Sequence, residues 1–155
     1  MRLDVMAKMR GVDAFPKLWK RRTAIELPDG TRCDLLSLPD LVQAKKTQRD
    51  KDWPMIRRLV EADLADRSRP PLPARVAFWL RECRTPDLLR TLVRRYPVAA
   101  AKVARERPAV RAALRSDVAR IEQELHREQA RERALDRRYW APLRRELQTW
   151  RRSRP

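Results

Sequence analysis

One polar run holds most of the side chains in this sequence that could do chemistry. Residues 45–52 read Lys-Lys-Thr-Gln-Arg-Asp-Lys-Asp, and Trp53 and Pro54 follow directly. The ammonium group of a lysine such as Lys45, on a helix that faces a site, can neutralise a phosphate. The same lysine on a solvated helix face needs no ligand, so the run alone leaves both interpretations of Lys45 open.

The rest of the polar run has structural explanations. A basic side chain in the last turn of a helix interacts favourably with the helix dipole, and an aspartate at an N-cap accepts backbone hydrogen bonds. We therefore expect Arg49, Lys51 and Asp52 to form a local hydrogen-bonded knot that fixes the angle between two helices. Trp53 is expected to lie in the core.

Two predicted helices flank this run. Ser37 followed by Pro39 is typical of a capped helix start, and this helix should end near Gln48. The second helix, 52–65, has apolar residues at helical spacing, and Pro54 fits only in its first turn. The polar run is therefore the joint between two helices.

Strands are predicted before these helices. Residues 2–6 alternate polar and apolar side chains, which favours a strand. Two short runs within 23–36 are joined by Pro28, Asp29 and Gly30, where proline presets φ and glycine takes positive φ, so we predict a β-hairpin. Residues 7–21 are predicted to form a loop or short helix with three buried anchors: Phe15, Leu18 and Trp19.

A proline-rich connector at 67–73 divides the predicted chain into 1–66 and 74–155. The second part is predicted to be helical throughout, with Pro86, Pro97 and Pro108 each at the start of a helix and Ser116 as the cap of the last helix. Its last helix, about 117–151, carries a row of acids at i+4 spacing, Glu124, Glu128, Glu132 and Asp136. Its middle, 126–134, offers no apolar residue larger than alanine, so we expect that segment to be solvated. An apolar face resumes at 139–150 and should dock on this chain or on a partner. The predicted fold class is α+β, mostly α: a small mixed sheet with helices, then an all-α extension.

The positive charge is concentrated in the second part of the chain. The net charge is +17, and residues 67–155 hold 24 lysines and arginines against 10 acids, whereas 1–66 hold 14 against 11. Such a field attracts polyanions, and the arginine fork suits phosphate. A solvated, salt-bridged helical surface explains the same composition equally well. Two glycines in 155 residues argue against a turn-rich all-β fold.

Several kinds of site are not expected. Cys33 and Cys83 are far apart and His126 stands alone, so we expect no zinc site, and the cysteines should be reduced thiols of a cytoplasmic protein. No stretch of about 18 apolar residues is present, so we expect neither a signal peptide nor a membrane as a partner. The five tryptophans are scattered, whereas base stacking needs aromatic rings on one exposed surface.

The segment LSLPDLVQAKKTQRDKDWPMIRRL, preceded by a strand–turn–strand, resembles the closing part of the nucleotidyltransferase-like fold. Minimal nucleotidyltransferases and the toxins of type IV toxin–antitoxin systems share this fold. The resemblance covers 2–64, and within it Lys45 would contact phosphate, with Arg49 and Lys51 as further substrate-binding residues. The matching positions are Leu38, Asp40, Leu41, Lys45, Arg49, Lys51, Asp52 and Leu59.

The resemblance also assigns a role to Asp4. Strand 2–6 matches the third core strand of the family, which makes Asp4 the third catalytic, metal-binding carboxylate; as a strand-end polar residue it would have no such role. The family's Gly-Ser or Gly-Gly followed by Asp-x-Asp would fall before Met1. Magnesium at a triphosphate needs several converging carboxylates, and two of three are missing.

The resemblance therefore implies a truncated or degenerate member, inactive as this chain stands. Mg²⁺ is implied for a full-length form, and no cofactor is expected for this chain alone. Two alternatives remain open: a basic protein that binds nucleotide or nucleic acid non-specifically through arginines of 74–155, and a module that docks a protein partner through 139–150.

Overall fold

The structure, a computed structural model, describes residues 8–66, 68 and 70–153. This part of the chain is mostly helical, with a two-stranded antiparallel sheet and a long last helix, which confirms the predicted class of α+β, mostly α. The predicted strand 2–6 and its Asp4 lie outside the described residues. The elements are α1 (Phe15–Lys20), β1 (Thr23–Glu26), β2 (Arg32–Leu35), α2 (Leu38–Ala44), α3 (Asp52–Ala65), α4 (Pro73–Glu82), α5 (Pro86–Arg95), α6 (Pro97–Val103), α7 (Pro108–Leu114) and α8 (Val118–Ser153).

The predicted hairpin is confirmed. Strands β1 and β2 pair antiparallel, with Thr23 opposite Leu35 and Glu26 opposite Arg32. Gly30 has a φ of +82°, and its amide donates to the carbonyl of Leu27 at 2.9 Å. Glycine adopts this left-handed conformation without steric strain, which explains its place in the turn.

Helix α2 begins as the sequence predicts and ends earlier. The hydroxyl of Ser37 accepts a hydrogen bond from the amide of Asp40 at 3.4 Å. The guanidinium of Arg21, which donates to Asp40 at 2.6 Å, and the Ser37 hydroxyl hold the pKa of this carboxyl below its usual value. The helix ends at Ala44, before the predicted Gln48, because Lys45 donates to two carbonyls in a tightened last turn.

The predicted anchors of the first segment are only partly buried. Leu18 is buried, but Phe15 and Trp19 are 66% and 45% exposed, so their predicted burial is wrong. Their rings stack on each other at 5.6 Å, and the guanidinium of Arg22 lies 4.1 Å from the Trp19 ring. Mutual stacking and a cation–π contact cover part of the apolar surface that the core does not take.

Prolines begin most helices of the second part, as the sequence predicts for α5, α6 and α7. Proline has no amide hydrogen, so the first turn, where amides lack helical partners, is where it fits. Ser116 does not cap α8: Asp117 accepts from the amide of Arg120 at 2.9 Å instead. The largest fully buried apolar side chains of residues 46–155 are Ile56, Val60, Leu80, Cys83, Leu89, Val110 and Ile121.

The described chain forms two compact units, Met1–Lys45 and Lys46–Pro155. This division does not coincide with the predicted connector at 67–73. Helices α3 and α4 flank the connector and are hydrogen-bonded to each other: Asp63 accepts from the indole of Trp79 at 2.7 Å and from Arg75 at 3.1 Å. Among the described helices, none is long and apolar enough to cross a bilayer.

Candidate functional site

The residues predicted to form a site are distributed over the two units. Asp4 lies outside the described residues. Lys45 is the half-buried C-cap of α2 in the first unit. Arg49, Lys51 and Asp52 belong to the second unit, where Arg49 and Asp52 meet and Lys51 is exposed.

The knot around Asp52 joins the residues before α3 to the start of that helix. Asp52 is 1% exposed and accepts hydrogen bonds from the hydroxyl of Thr47 and from Nε of Arg49, the latter at 2.9 Å. The indole of Trp53, which is buried, donates to the Thr47 carbonyl at 3.0 Å. Arg49 and Asp52 therefore form an ion pair with each other. Together with the Trp53 hydrogen bond, it holds the link 47–52 against the start of α3.

Two side chains of helix α8 also contact the link 47–52. The carboxylate of Asp136, which is 3% exposed, accepts from the backbone amide of Gln48 at 2.9 Å. The guanidinium of Arg133 lies 2.7 Å from the carboxylate of Asp50 and 5.9 Å from the centroid of the Trp53 ring. Two residues one turn apart on α8 therefore position the link.

Residues 126–134 in the middle of α8 were predicted to be solvated, and none of them is buried. The row of acids at i+4 spacing that runs through this segment, Glu124, Glu128, Glu132 and Asp136, is nevertheless buried at both ends. Glu124 and Asp136 are 8% and 3% exposed, and Glu128 binds two arginines. Like charges at i+4 spacing repel, so such a row is stable inside a protein only when cations face it. Four arginines pair with its members: Arg120 and Arg127 with Glu124, and Arg84 and Arg107 with Glu128.

Arg107 is the buried centre of this network. Its side chain is 7% exposed, and it donates to Glu128 at 2.9 Å, to the carbonyl of Leu80 at 2.7 Å and to that of Cys83 at 2.9 Å. The two carbonyls end α4, where backbone acceptors have no helical partner. One guanidinium thus caps α4 and attaches α8 to it. Sequence reasoning missed Arg107; the unexplained acidic row was the signal that buried cations had to exist.

Arg84 shares the carboxylate of Glu128 with Arg107. Its Nη1 lies 3.4 Å from Glu128, and its guanidinium lies 4.9 Å from the centroid of the Trp53 ring. Burial, and secondly the positive charge of Arg107, lower the pKa of Arg84. Stacking of a guanidinium on an aromatic face suits a cation that has lost much of its water.

A cavity of about 560 Å³ lies beside Trp53. Its lining combines apolar side chains with two basic residues, Arg57 and Arg84, and two acidic residues, Asp50 and Glu122. Since the two signs of charge are equally represented, the lining has no net preference for an anion or a cation. His126 also lines the cavity, and its side chain is exposed.

The arginines outside the network form the second candidate feature. The second unit holds 29 lysines and arginines against 15 acids, a net charge of +14. The buried acids Asp52 and Glu124 are neutralised by the arginines that pair with them, so the excess of positive charge lies on the surface. A large part of it lies at the end of α8, where residues 137–153 hold six arginines and one glutamate. All six are exposed: Arg137, Arg138, Arg144, Arg145, Arg151 and Arg152.

Among the described residues, no group of three or more histidine, cysteine, aspartate or glutamate side chains could hold a metal ion. Comparisons with protein-family models, with curated proteins and with solved structures find no match to this chain. The functional proposals below therefore rest on the residues and their geometry.

Proposed function

We propose that the helical unit binds phosphate-bearing polyanions through arginines that its own carboxylates do not neutralise. The observation that carries this proposal is the sorting of charge. Glu124, Glu128 and Asp136 turn inward to cations and a backbone amide, while exposed arginines cover the end of α8. Folding thus removes negative charge from the surface more than positive charge.

Arginine-rich surfaces recognise phosphate in a particular way. Each guanidinium offers a fork of donors that matches two phosphate oxygens, and release of counterions drives the association. The sequence carries no base-reading motif, so we expect nucleic acid to bind without sequence preference.

We expect the affinity for a labelled oligonucleotide to fall steeply with salt. The logarithm of the binding constant should fall linearly with the logarithm of the salt concentration. Replacing Arg138, Arg145 and Arg152 with glutamine should make that slope shallower by about 2 to 3, since each phosphate contact contributes about 1. Fluorescence anisotropy measures both quantities.

The matched control for that triple variant removes the same charge from the other unit. Lys8, Lys20 and Arg32 are exposed, and their replacement with glutamine should leave the slope almost unchanged. Equal losses in the two variants would mean that only net charge matters. Binding that does not change between low and high salt would reject the proposal.

A second proposal keeps the nucleotidyltransferase-like assignment of residues 2–64. The order of elements supports it: a hairpin, the Ser37-capped α2, a polar link and α3 beginning at Asp52 follow one another. On this proposal Lys45 contacts the phosphates of a nucleotide, and Asp4 is one metal-binding carboxylate. Mg²⁺ at a triphosphate would need several carboxylates.

This second proposal predicts nucleotide binding with little or no transfer. Equilibrium dialysis should detect a nucleoside triphosphate bound to the chain, weakened by Lys45→Gln and not by the exposed Lys20→Gln. Transfer of labelled nucleotide to tRNA or protein in the presence of Mg²⁺ should stay near background, because one carboxylate does not hold the metal pair. Robust transfer would contradict the degenerate form, and no binding would contradict the family assignment.

A further inference from the structure

The end of α8 carries an apolar stripe that the described chain leaves open. Tyr139, Leu143, Leu147 and Trp150 are 43%, 44%, 40% and 59% exposed. At about 100° per residue they share one arc of the helix about 80° wide, and Trp140 lies at its edge. We call these four residues the α8 stripe.

Arginines cover the opposite side of the same turns. On the same helical projection, the six exposed arginines of 137–153 occupy an arc of about 140° that begins beside the stripe. Glu146 is the single acid of this segment. The segment is therefore a basic amphipathic helix, with leucine and aromatic rings on one face and guanidinium groups on the other.

The charges argue against a second copy of this chain as the partner of the stripe. Two antiparallel α8 ends would bring the arginines that flank the stripe, Arg137, Arg144 and Arg151, next to their own copies. The single Glu146 per chain cannot offset them. A partner of the stripe must instead combine an apolar interior with negative charge at its border.

We propose that the end of α8 lies in the surface of a bilayer that contains anionic phospholipids. This inference rests on the proposed polyanion binding and names one source of the phosphate. Leu143 and Leu147 enter the acyl boundary, the rings of Tyr139 and Trp150 take the headgroup level, and the arginines contact lipid phosphates. A nucleic-acid backbone would use the arginines and would leave the two leucines in water.

This mode of binding needs no helix that spans the bilayer. A helix that lies in the plane of the interface has one apolar face and one charged face, and its mean hydropathy can be low. The expectation of no membrane partner depended only on the length of the apolar stretches in the sequence. The structure adds that the stripe and the arginines are exposed together.

Co-sedimentation of the full chain with vesicles tests the inference. One set of vesicles is phosphatidylcholine, and the other mixes phosphatidylcholine and phosphatidylglycerol in equal parts. We expect binding to the mixed vesicles only, weakened about tenfold or more by L143S with L147S. Neutralising R145Q with R152Q should weaken it by a similar factor, since each arginine near an anionic surface contributes about fivefold.

Two matched controls and an oligonucleotide arm separate the outcomes. Val98 and Leu114 are exposed apolar residues elsewhere in the unit, and V98S with L114S should bind vesicles as the natural chain does. Oligonucleotide binding without vesicle binding would overturn this inference and leave the proposed function standing. Binding to neither would overturn both, and dimers that L143S with L147S dissolves would assign the stripe to a second copy.

Discussion

Replacing Arg107 with methionine is expected to lower the free energy of unfolding by about 3 to 5 kcal/mol. Arg107 is 7% exposed on its side chain and donates to Glu128 and to the carbonyls of Leu80 and Cys83. Methionine keeps much of the volume, but it leaves a half-buried carboxylate with one weaker partner and two helix-end carbonyls with none. Urea unfolding followed by circular dichroism measures the difference.

The chain offers a close control for this variant. Arg105 lies two residues earlier and is exposed, so Arg105→Met should change the unfolding free energy by less than about 0.5 kcal/mol. Arg107→Lys should fall between the two, because an ammonium keeps the charge without the fork that reaches three acceptors. If Arg107→Met were as stable as Arg105→Met, the guanidinium would not be what holds α4 and α8 together.

Local rules predicted the helices of this chain well because each rule refers to neighbours in sequence. Ser37 and the prolines at 86, 97 and 108 mark helix starts through the amides that the first turn leaves unpaired. Pro28 to Gly30 marks the hairpin in the same way, through backbone angles of the turn itself. Neither signal needs a distant partner.

The network around Glu128 could not be predicted in this way. Its cations come from the residue that precedes α7 and from the segment between α4 and α5, more than 20 residues earlier in the sequence. Periodicity showed the acidic row on one face of α8, but it could not show which face another helix covers. A solvated segment 126–134 was therefore the natural expectation, and the sequence did not show that Glu124 and Asp136 on either side of it are buried.

The partial exposure of Phe15 and Trp19 has a similar explanation. An aromatic residue in an amphipathic segment predicts burial only if enough neighbouring surface exists to cover it. Within the described residues, the sheet of the first unit has two strands, and the rings cover each other instead. The polar run at 45–52 was located correctly as a joint, yet its deepest member, Asp52, was expected to be a helix cap and is the first residue of α3.

Replacing Asp52 with alanine is expected to lower the free energy of unfolding by about 2 to 3 kcal/mol. Asp52 is 1% exposed, and its loss leaves the hydroxyl of Thr47 without its acceptor inside the link. Arg49 is half exposed and can turn to water, so the ion pair adds less than a buried pair would. Chemical denaturation of the natural and variant chains gives the difference.

The neighbouring Asp50 provides the comparison that decides what the polar run does. Its side chain is 88% exposed and pairs with Arg133, so Asp50→Ala should change the unfolding free energy by less than about 1 kcal/mol. If the run is a structural joint, Asp52→Ala destabilises the chain while its affinity for an oligonucleotide, measured on the folded protein, stays the same. If instead Asp52→Ala were as stable as Asp50→Ala but altered that affinity, Arg49 would be a ligand-binding residue held in place by Asp52. The run would then belong to a phosphate site, as the nucleotidyltransferase-like assignment requires.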